Sequence, residues 1–126
     1  MKIQPDLISA PSISGYGPGW VSIGAEKINT SVVIGSQGER FAWDCARFED
    51  LTAAHFEKLA SLGAELIIFA RRNRIRFPQA AWIRPLIMQQ TGVETMDTQA
   101  ACRTYNILAG EGRRVVVALL MESEAV

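Results

Sequence analysis

Histidine, cysteine and an excess of either charge are what this chain of 126 residues has little of. A single histidine, His55, leaves one candidate for any imidazole chemistry, and its place in a helical first turn reads as a surface or boundary residue. Two cysteines, Cys45 and Cys102, make neither a disulfide framework nor a metal pair. No metal site and no cofactor are therefore expected, and the default compartment is reducing and cytoplasmic. Thirteen lysines and arginines balance thirteen aspartates and glutamates. A net charge of zero argues against life on nucleic acid or anionic lipid. The longest strongly apolar run, Val115 to Met121, falls far short of the ~20 residues that span a bilayer. The start, "MKIQPDLISAPSI", has no sustained apolar stretch and is interrupted by Pro5 and Pro11, so no signal peptide is expected. Repeats, low-complexity tracts and linkers are missing as well.

What is there suits one globular domain over residues 1–126, with 1–11 as a loose arm. Apolar residues make up 48% and charged residues 21%, so a chain of this length buries a core without a staple. In "SISGYGPGWVSIG" the glycines at 15, 17 and 19 hint at a phosphate loop. A strand-like "WVSI" follows where such a loop needs a helix, so a hairpin turn is expected instead. "INTSVVIGS" and "GERFAWDC" read as strands joined by the turn "GSQG" at 35–38. Trp20, Phe41 and Trp43 read as core or half-buried sheet residues.

From residue 50 the pattern becomes α-β-α-β-α-β. "LTAAHFEKLASLG" is a helix with Thr52 as N-cap, a Leu51–Phe56 staple and Gly63 as its stop. "AELIIFA" has the continuous apolar character of a strand covered on both faces. "RRNRIRFP" breaks it, and "QAAWIRPLIMQQTG" is a second helix, in which Pro85 is tolerated only in a first turn. The regular helix is thus expected to start near Ala81 or later, or to kink. "VETMD" and "RRVVVALLM" are the remaining strands. The order implies a mixed or parallel sheet with helices packed on it.

"TQAACRTYNILAGEG" is the third helix, capped by Asp97 or Thr98. Ala101, Tyr105, Leu108 and Ala109 share the face that packs on the sheet, while Cys102 and Asn106 run up a neighbouring stripe with Arg103 beside it. Gly110 and Gly112 offer two ends with positive φ. Cys102 next to Arg103 near a helix start raises the question of a nucleophile. A phosphatase-type loop separates its cysteine and arginine by several amide donors, and here they are adjacent in a helix. A small buried thiol is the expected state, and no residue is assigned a catalytic role.

The block "MDTQAACRTYNILAGEGRRV", with "ISGYGPGWVSIGAEKINTSVVI", Trp43, the "LT" helix start and "RFP" at 76–78, resembles the domain-of-unknown-function 498, or Mth938-like, family. The chain looks like a proteobacterial member. The resemblance covers most of the chain. It implies an α/β fold: a three-layer domain with a central mixed sheet, helices packed on it and an additional N-terminal β-hairpin layer. It implies no reaction. The family includes the mitochondrial complex I assembly factor 3 and a cytosolic vertebrate protein linked to adipogenesis, and bacterial relatives tend to be encoded near protein-export and membrane-assembly functions. Many relatives carry a Gly-Thr-Gly turn where this chain has Ala70-Arg71-Arg72. Without those glycines a backbone cradle for phosphate is not expected there, unless the arginine side chains replace it.

Ligands of open α/β sheets gather beyond the carboxyl ends of parallel strands. If strands 65–70 and 93–97 are parallel neighbours, that edge brings together Arg71, Arg72, Arg74 and Arg76 with Asp97, Thr98 and Arg103. A helix start beside guanidinium groups suits an anion. The plainer alternative is a solvated loop whose arginines pair with Glu65, Glu94 or Asp97. The leading expectation is a non-catalytic interaction or assembly module, linked to membrane-protein or respiratory-complex assembly. It would present the arginine loop, Ile75 and Trp82 to a protein partner. The alternative is a small anionic-ligand-binding protein or enzyme at the Arg/Thr98/Cys102 corner. Nucleic-acid binding, with Phe77 and Trp82 stacking, is the least favoured because the net charge is zero.

Overall fold

The computed structural model describes residues 11–72 and 75–122. The expected arm at 1–11 lies outside the described residues except for Pro11, and Arg74 lies outside them too.

Among the described residues, eight strands form two sheets. Strands β1 (Ile13–Gly17), β2 (Trp20–Ile23) and β3 (Glu26–Ile28) make an antiparallel meander. The glycines at 15–19 are therefore strand and turn. Gly17 pairs with Trp20, and Pro18-Gly19 forms the loop, with Gly19 at φ 74°. Proline followed by a positive-φ glycine is the pattern of a type II turn.

The main sheet has the order β5-β4-β8-β6-β7. Here β4 is Val32–Gly35, β5 Arg40–Ala42, β6 Leu66–Arg71, β7 Gly92–Asp97 and β8 Val115–Leu120. β6 pairs in parallel with both β7 and β8, while β4 runs antiparallel to β8 and to β5. The stretch "INTSVVIGS", expected as one strand, divides: Ile28 ends the meander and Val32 starts the main sheet. The polar run Asn29-Thr30-Ser31 is where the chain passes from one layer to the other. "GSQG" is the β4–β5 turn, closed by Gly38 N–H to the Gly35 carbonyl at 3.1 Å.

Alternation along β6 and β8 sorts the core by face. Ile68, Ala70, Val117 and Leu119 face helix α3 (Thr98–Gly110) and the meander. Ile67, Phe69, Val116 and Leu120 face helices α1 (Ala53–Ala60) and α2 (Ala80–Met88) together with Trp43 and Phe48. The result is three layers: α1 and α2, the mixed sheet, and α3 beside the meander.

α2 runs through Pro85 and begins at Ala80, a residue earlier than expected. Pro85 takes from the helix the bond that the Ala81 carbonyl would have accepted. Ala81 is exposed, while Leu86 is fully buried and Trp82 and Ile83 pack on the second core. Burial of that stripe outweighs one missing bond. α3 is capped by Asp97, whose Oδ1 accepts from Ala100 N–H at 2.8 Å. It ends in a Schellman motif, with Gly112 at φ 81° and Arg113 N–H bonded to the Leu108 carbonyl at 3.0 Å.

α3 also holds the meander. The Asn106 amide accepts from Ile13 N–H at 2.9 Å and donates to the Ile13 carbonyl at 2.7 Å. Tyr105 Oη–H donates to the Pro11 carbonyl at 2.7 Å. One side-chain amide thus serves the edge of β1 as a neighbouring strand would.

Candidate functional site

Parallel β6, β7 and β8 all end at one edge of the sheet, and β5 runs the same way and ends there too. The Pro18-Gly19 turn of the meander overhangs this edge. Beneath it lie two adjoining cavities, both lined by Pro18 and Arg72. The larger, about 740 Å³, is walled by Ser31 before β4, Trp43 to Cys45 after β5, Asp50, Met121 and Glu122. The smaller, about 390 Å³, is walled by Tyr16, Asp97, Thr98 and Gln99.

Of the residues expected at this edge, Arg72, Asp97 and Thr98 meet in the smaller cavity. The other described arginines go elsewhere. Arg71 is the last residue of β6, and its side chain falls on the opposite face by alternation. There its Nε donates to Glu122 Oε1 and its Nη2 to Oε2, the latter at 3.3 Å. Glu122 Oε2 also accepts Phe48 N–H at 3.0 Å, and the Arg71 guanidinium lies 5.2 Å from the Phe48 ring centre. Arg76 sits 4.0 Å over the same ring and 3.6 Å from Glu49. Arg103 is exposed on α3 and lines neither cavity. The pairings expected with Glu65, Glu94 or Asp97 are not the ones made by Arg71 and Arg76: Glu65 is bound by Arg113 at 2.8 Å instead. Trp82 is half-buried and stacked on Phe56, with centroids 5.9 Å apart and planes at 15°, so it does not form an open platform with Phe77.

The electrostatics of the edge differ in sign from the sequence reading. Among the described residues, the two cavities are lined by Asp44, Asp50, Asp97 and Glu122 against the one guanidinium of Arg72. Asp44, Asp50 and Asp97 make no ion pair with any other described residue, whereas Glu122 is held by Arg71. The Cys45 thiol in the larger cavity registers this environment. Burial above all, with the carboxylates of Asp50, Asp44 and Glu122, pushes its pKa up, against a smaller lowering by the backbone of Arg47.

Two wall groups are unusual. Trp43 is 4% exposed and its Nε1–H has no acceptor among the described residues. Thr98 is 8% exposed and its Oγ1 has no partner among them either. Buried polar groups are nearly always paired.

The side chains suited to bond-making are placed differently. Cys102 is 1% exposed in the core beneath α3, and burial, with the Asp97 carboxylate, pushes its thiol up to about 12. His55 is committed to α1: its Nδ1 accepts Thr52 N–H at 3.0 Å and its Nε2 lies 2.7 Å from the Asp44 carbonyl. Both bonds together fix the tautomer with the proton on Nε2. No group of three or more histidine, cysteine, aspartate or glutamate side chains that could hold a metal occurs among the described residues. None of the helices among them is long and apolar enough to cross a membrane.

Sequence reasoning missed Trp43, Asp44, Asp50 and Glu122 as members of the edge. Their arrival depends on β4 pairing with β8 across some eighty positions, for which no local pattern gives a sign.

Comparison with known proteins agrees with this architecture. Residues 13–120 match a family described as "Protein of unknown function (DUF498/DUF598)". An uncharacterized protein of Rhodobacter capsulatus is 31% identical over 119 residues, covering 93% of this chain and 90% of that one. A crystal structure from Bordetella parapertussis superposes with a TM-score of 0.84 at 36% identity, over 90% of this chain and 98% of the other. A solution structure from Bordetella pertussis, described as a Mth938-like domain, gives 0.81 at 28% identity over 100% and 93%.

Proposed function

This chain belongs to the protein family of unknown function DUF498/DUF598, and from that premise we propose that the domain is a non-catalytic binding module whose working surface is the two-part groove at the sheet's carboxyl edge. The occupant is a protein partner. One observation carries the reading: the groove walls offer hydrogen-bonding and charged groups, while the thiol of Cys102 and the imidazole of His55 are engaged away from it. A nucleophile needs a base within reach and a depressed pKa, and Cys102 has burial acting in the opposite direction. The alternative of a small anionic ligand at the Arg72–Thr98 corner is weakened by Asp44, Asp50 and Asp97 lining the same groove. A role in assembling membrane proteins or respiratory complexes rests on the family resemblance.

The test is co-purification at native expression level followed by mass spectrometry. A stoichiometric protein partner retained by Cys102→Ala and lost on Arg72→Glu is the expected result. A clean null, or a partner indifferent to Arg72→Glu, overturns the assignment.

A further inference from the structure

We propose that two copies of this chain pair through the open edge of β7, an inference that goes beyond the groove and does not depend on it. A bare strand edge is a template for another strand, and folded proteins usually shorten, cover or break it. The other strand edges here are managed in that way. Asn106 serves β1, and β3 and β5 are each three residues long. β7 is six residues long, pairs only with β6 among the described residues, and has no proline, lysine or bulge. Gly92 N–H donates to the Glu65 carbonyl at 2.9 Å, which fixes the phase of the ladder. Gly92, Glu94 and Met96 turn their backbone groups to β6, so those of Val93, Thr95 and Asp97 turn outward. The N–H groups of Val93, Thr95 and Asp97 find no acceptor among the described residues.

This edge is complementary to itself, run antiparallel about a two-fold axis. With the axis at Thr95, each Thr95 exchanges N–H to carbonyl bonds with Thr95 of the second copy, and Asp97 N–H meets the Val93 carbonyl. Glu94 then stands opposite Met96 and Val93 opposite Asp97, so no like charges face each other. Moving the axis to Glu94 would set the two Glu94 carboxylates directly against each other, which pins the register. The flank adds a reason for a second copy over a lone peptide. α2 packs against β7, and Trp82 marks its α1 side by stacking on Phe56. Ile83 and Ile87, one turn apart, lie round the helix from Trp82, towards β7. Ile83 packs on the second core, while Ile87 is 59% exposed. The two-fold brings α2 of each copy alongside the other and covers Ile87, which a free peptide on the edge leaves in water.

The experiment is sedimentation equilibrium of the full chain from micromolar to near-millimolar concentration. A reversible monomer–dimer equilibrium is the expected result. Thr95→Pro removes one outward N–H and no bond within the chain. It is expected to weaken self-association at least about tenfold, with an unchanged melting temperature at micromolar dilution. Amide exchange of the unaltered chain gives a second reading. The Thr95 and Asp97 amides are expected to slow as concentration rises, whereas Glu94 and Met96, bonded to β6, stay protected throughout. If Thr95→Pro fails to fold, the exchange measurement decides alone. A chain that stays monomeric at near-millimolar concentration, a dimer equally strong in Thr95→Pro, or exchange at Thr95 that ignores concentration would each overturn the proposal. So would a monomer whose Thr95 amide is protected only by the strand of a different protein.

Discussion

At the scale of single residues, the two side chains that looked most chemical turn out to be structural. His55 fills the place usually held by glutamate or glutamine in a capping box, accepting the N-cap amide of Thr52. It then reaches back to the Asp44 carbonyl and packs edge-on against Trp43, centroids 6.0 Å apart. His55→Ala is expected to cost about 1 kcal/mol in chemical denaturation, and His55→Gln to recover part of it, since an amide oxygen still accepts from Thr52. A loss shared equally by both variants would place the value of the ring in its packing alone. For Cys102 the expectation is kinetic and thermodynamic. Burial lifts its thiol from 9.0 to about 12, and burial lifts the Tyr105 phenol as well. Below pH 9 the folded and unfolded chains both keep the thiol proton, so stability is indifferent to it. Between pH 9 and 12 the unfolded chain releases that proton and the folded chain holds it, so stability falls as pH rises. Urea midpoints from pH 8 to 11 are expected to decline, steepening once the tyrosine joins. A thiol reagent at pH 8 is expected to modify Cys45 in the native state and Cys102 only on unfolding. Rapid native labelling of Cys102 contradicts the burial argument.

At the scale of elements, α3 is the keystone between the meander and the main sheet. Its buried stripe of Ala101, Tyr105 and Ala109 packs on β6 and β8, while Asn106 and Tyr105 hold the start of β1. Asn106→Ala leaves an amide and a carbonyl of Ile13 without partners, at a cost of about 1–3 kcal/mol. Hydrogen exchange localises the effect: amides of β1 to β3 are expected to exchange faster, and those of β6 and β8 to stay protected. Uniform loss of protection would mean that the layers do not separate in this way. The helices, the central strand and the α3 cap were legible because each carries a local signal: Thr52, Asp97 and Gly112 at termini, and an unbroken apolar run at Leu66–Ala70. The break between β3 and β4 was not, because Ile28 and Val32 look alike and only the layer each joins distinguishes them. The fate of the arginines was not legible either. Whether Arg71 faces the groove or the opposite core depends on the register in which β6 meets β8, and Glu122 awaits it on one side only.

At the scale of the whole molecule, a neutral chain still builds a locally negative edge. The net charge of zero is an average in which Arg71 and Arg76 are matched by Glu122 and Glu49 on one face, while Asp44, Asp50 and Asp97 gather at the groove. Order along the chain has a consequence of another kind. β8, synthesised after the other seven described strands, occupies the middle of the main sheet and joins β4 on one side to β6 on the other. Until it arrives, the β4–β5 ribbon and the β6–β7 pair have no shared border, and each exposes a long unsatisfied edge. Assembly by accretion from the amino end is therefore closed to this topology: the nascent chain waits, and closure is a single late event with high sequence separation. A fragment stopping at Arg114 is expected to show no protected β4 amides and to associate with itself. A monomeric fragment with an ordered β4–β5 ribbon would contradict this.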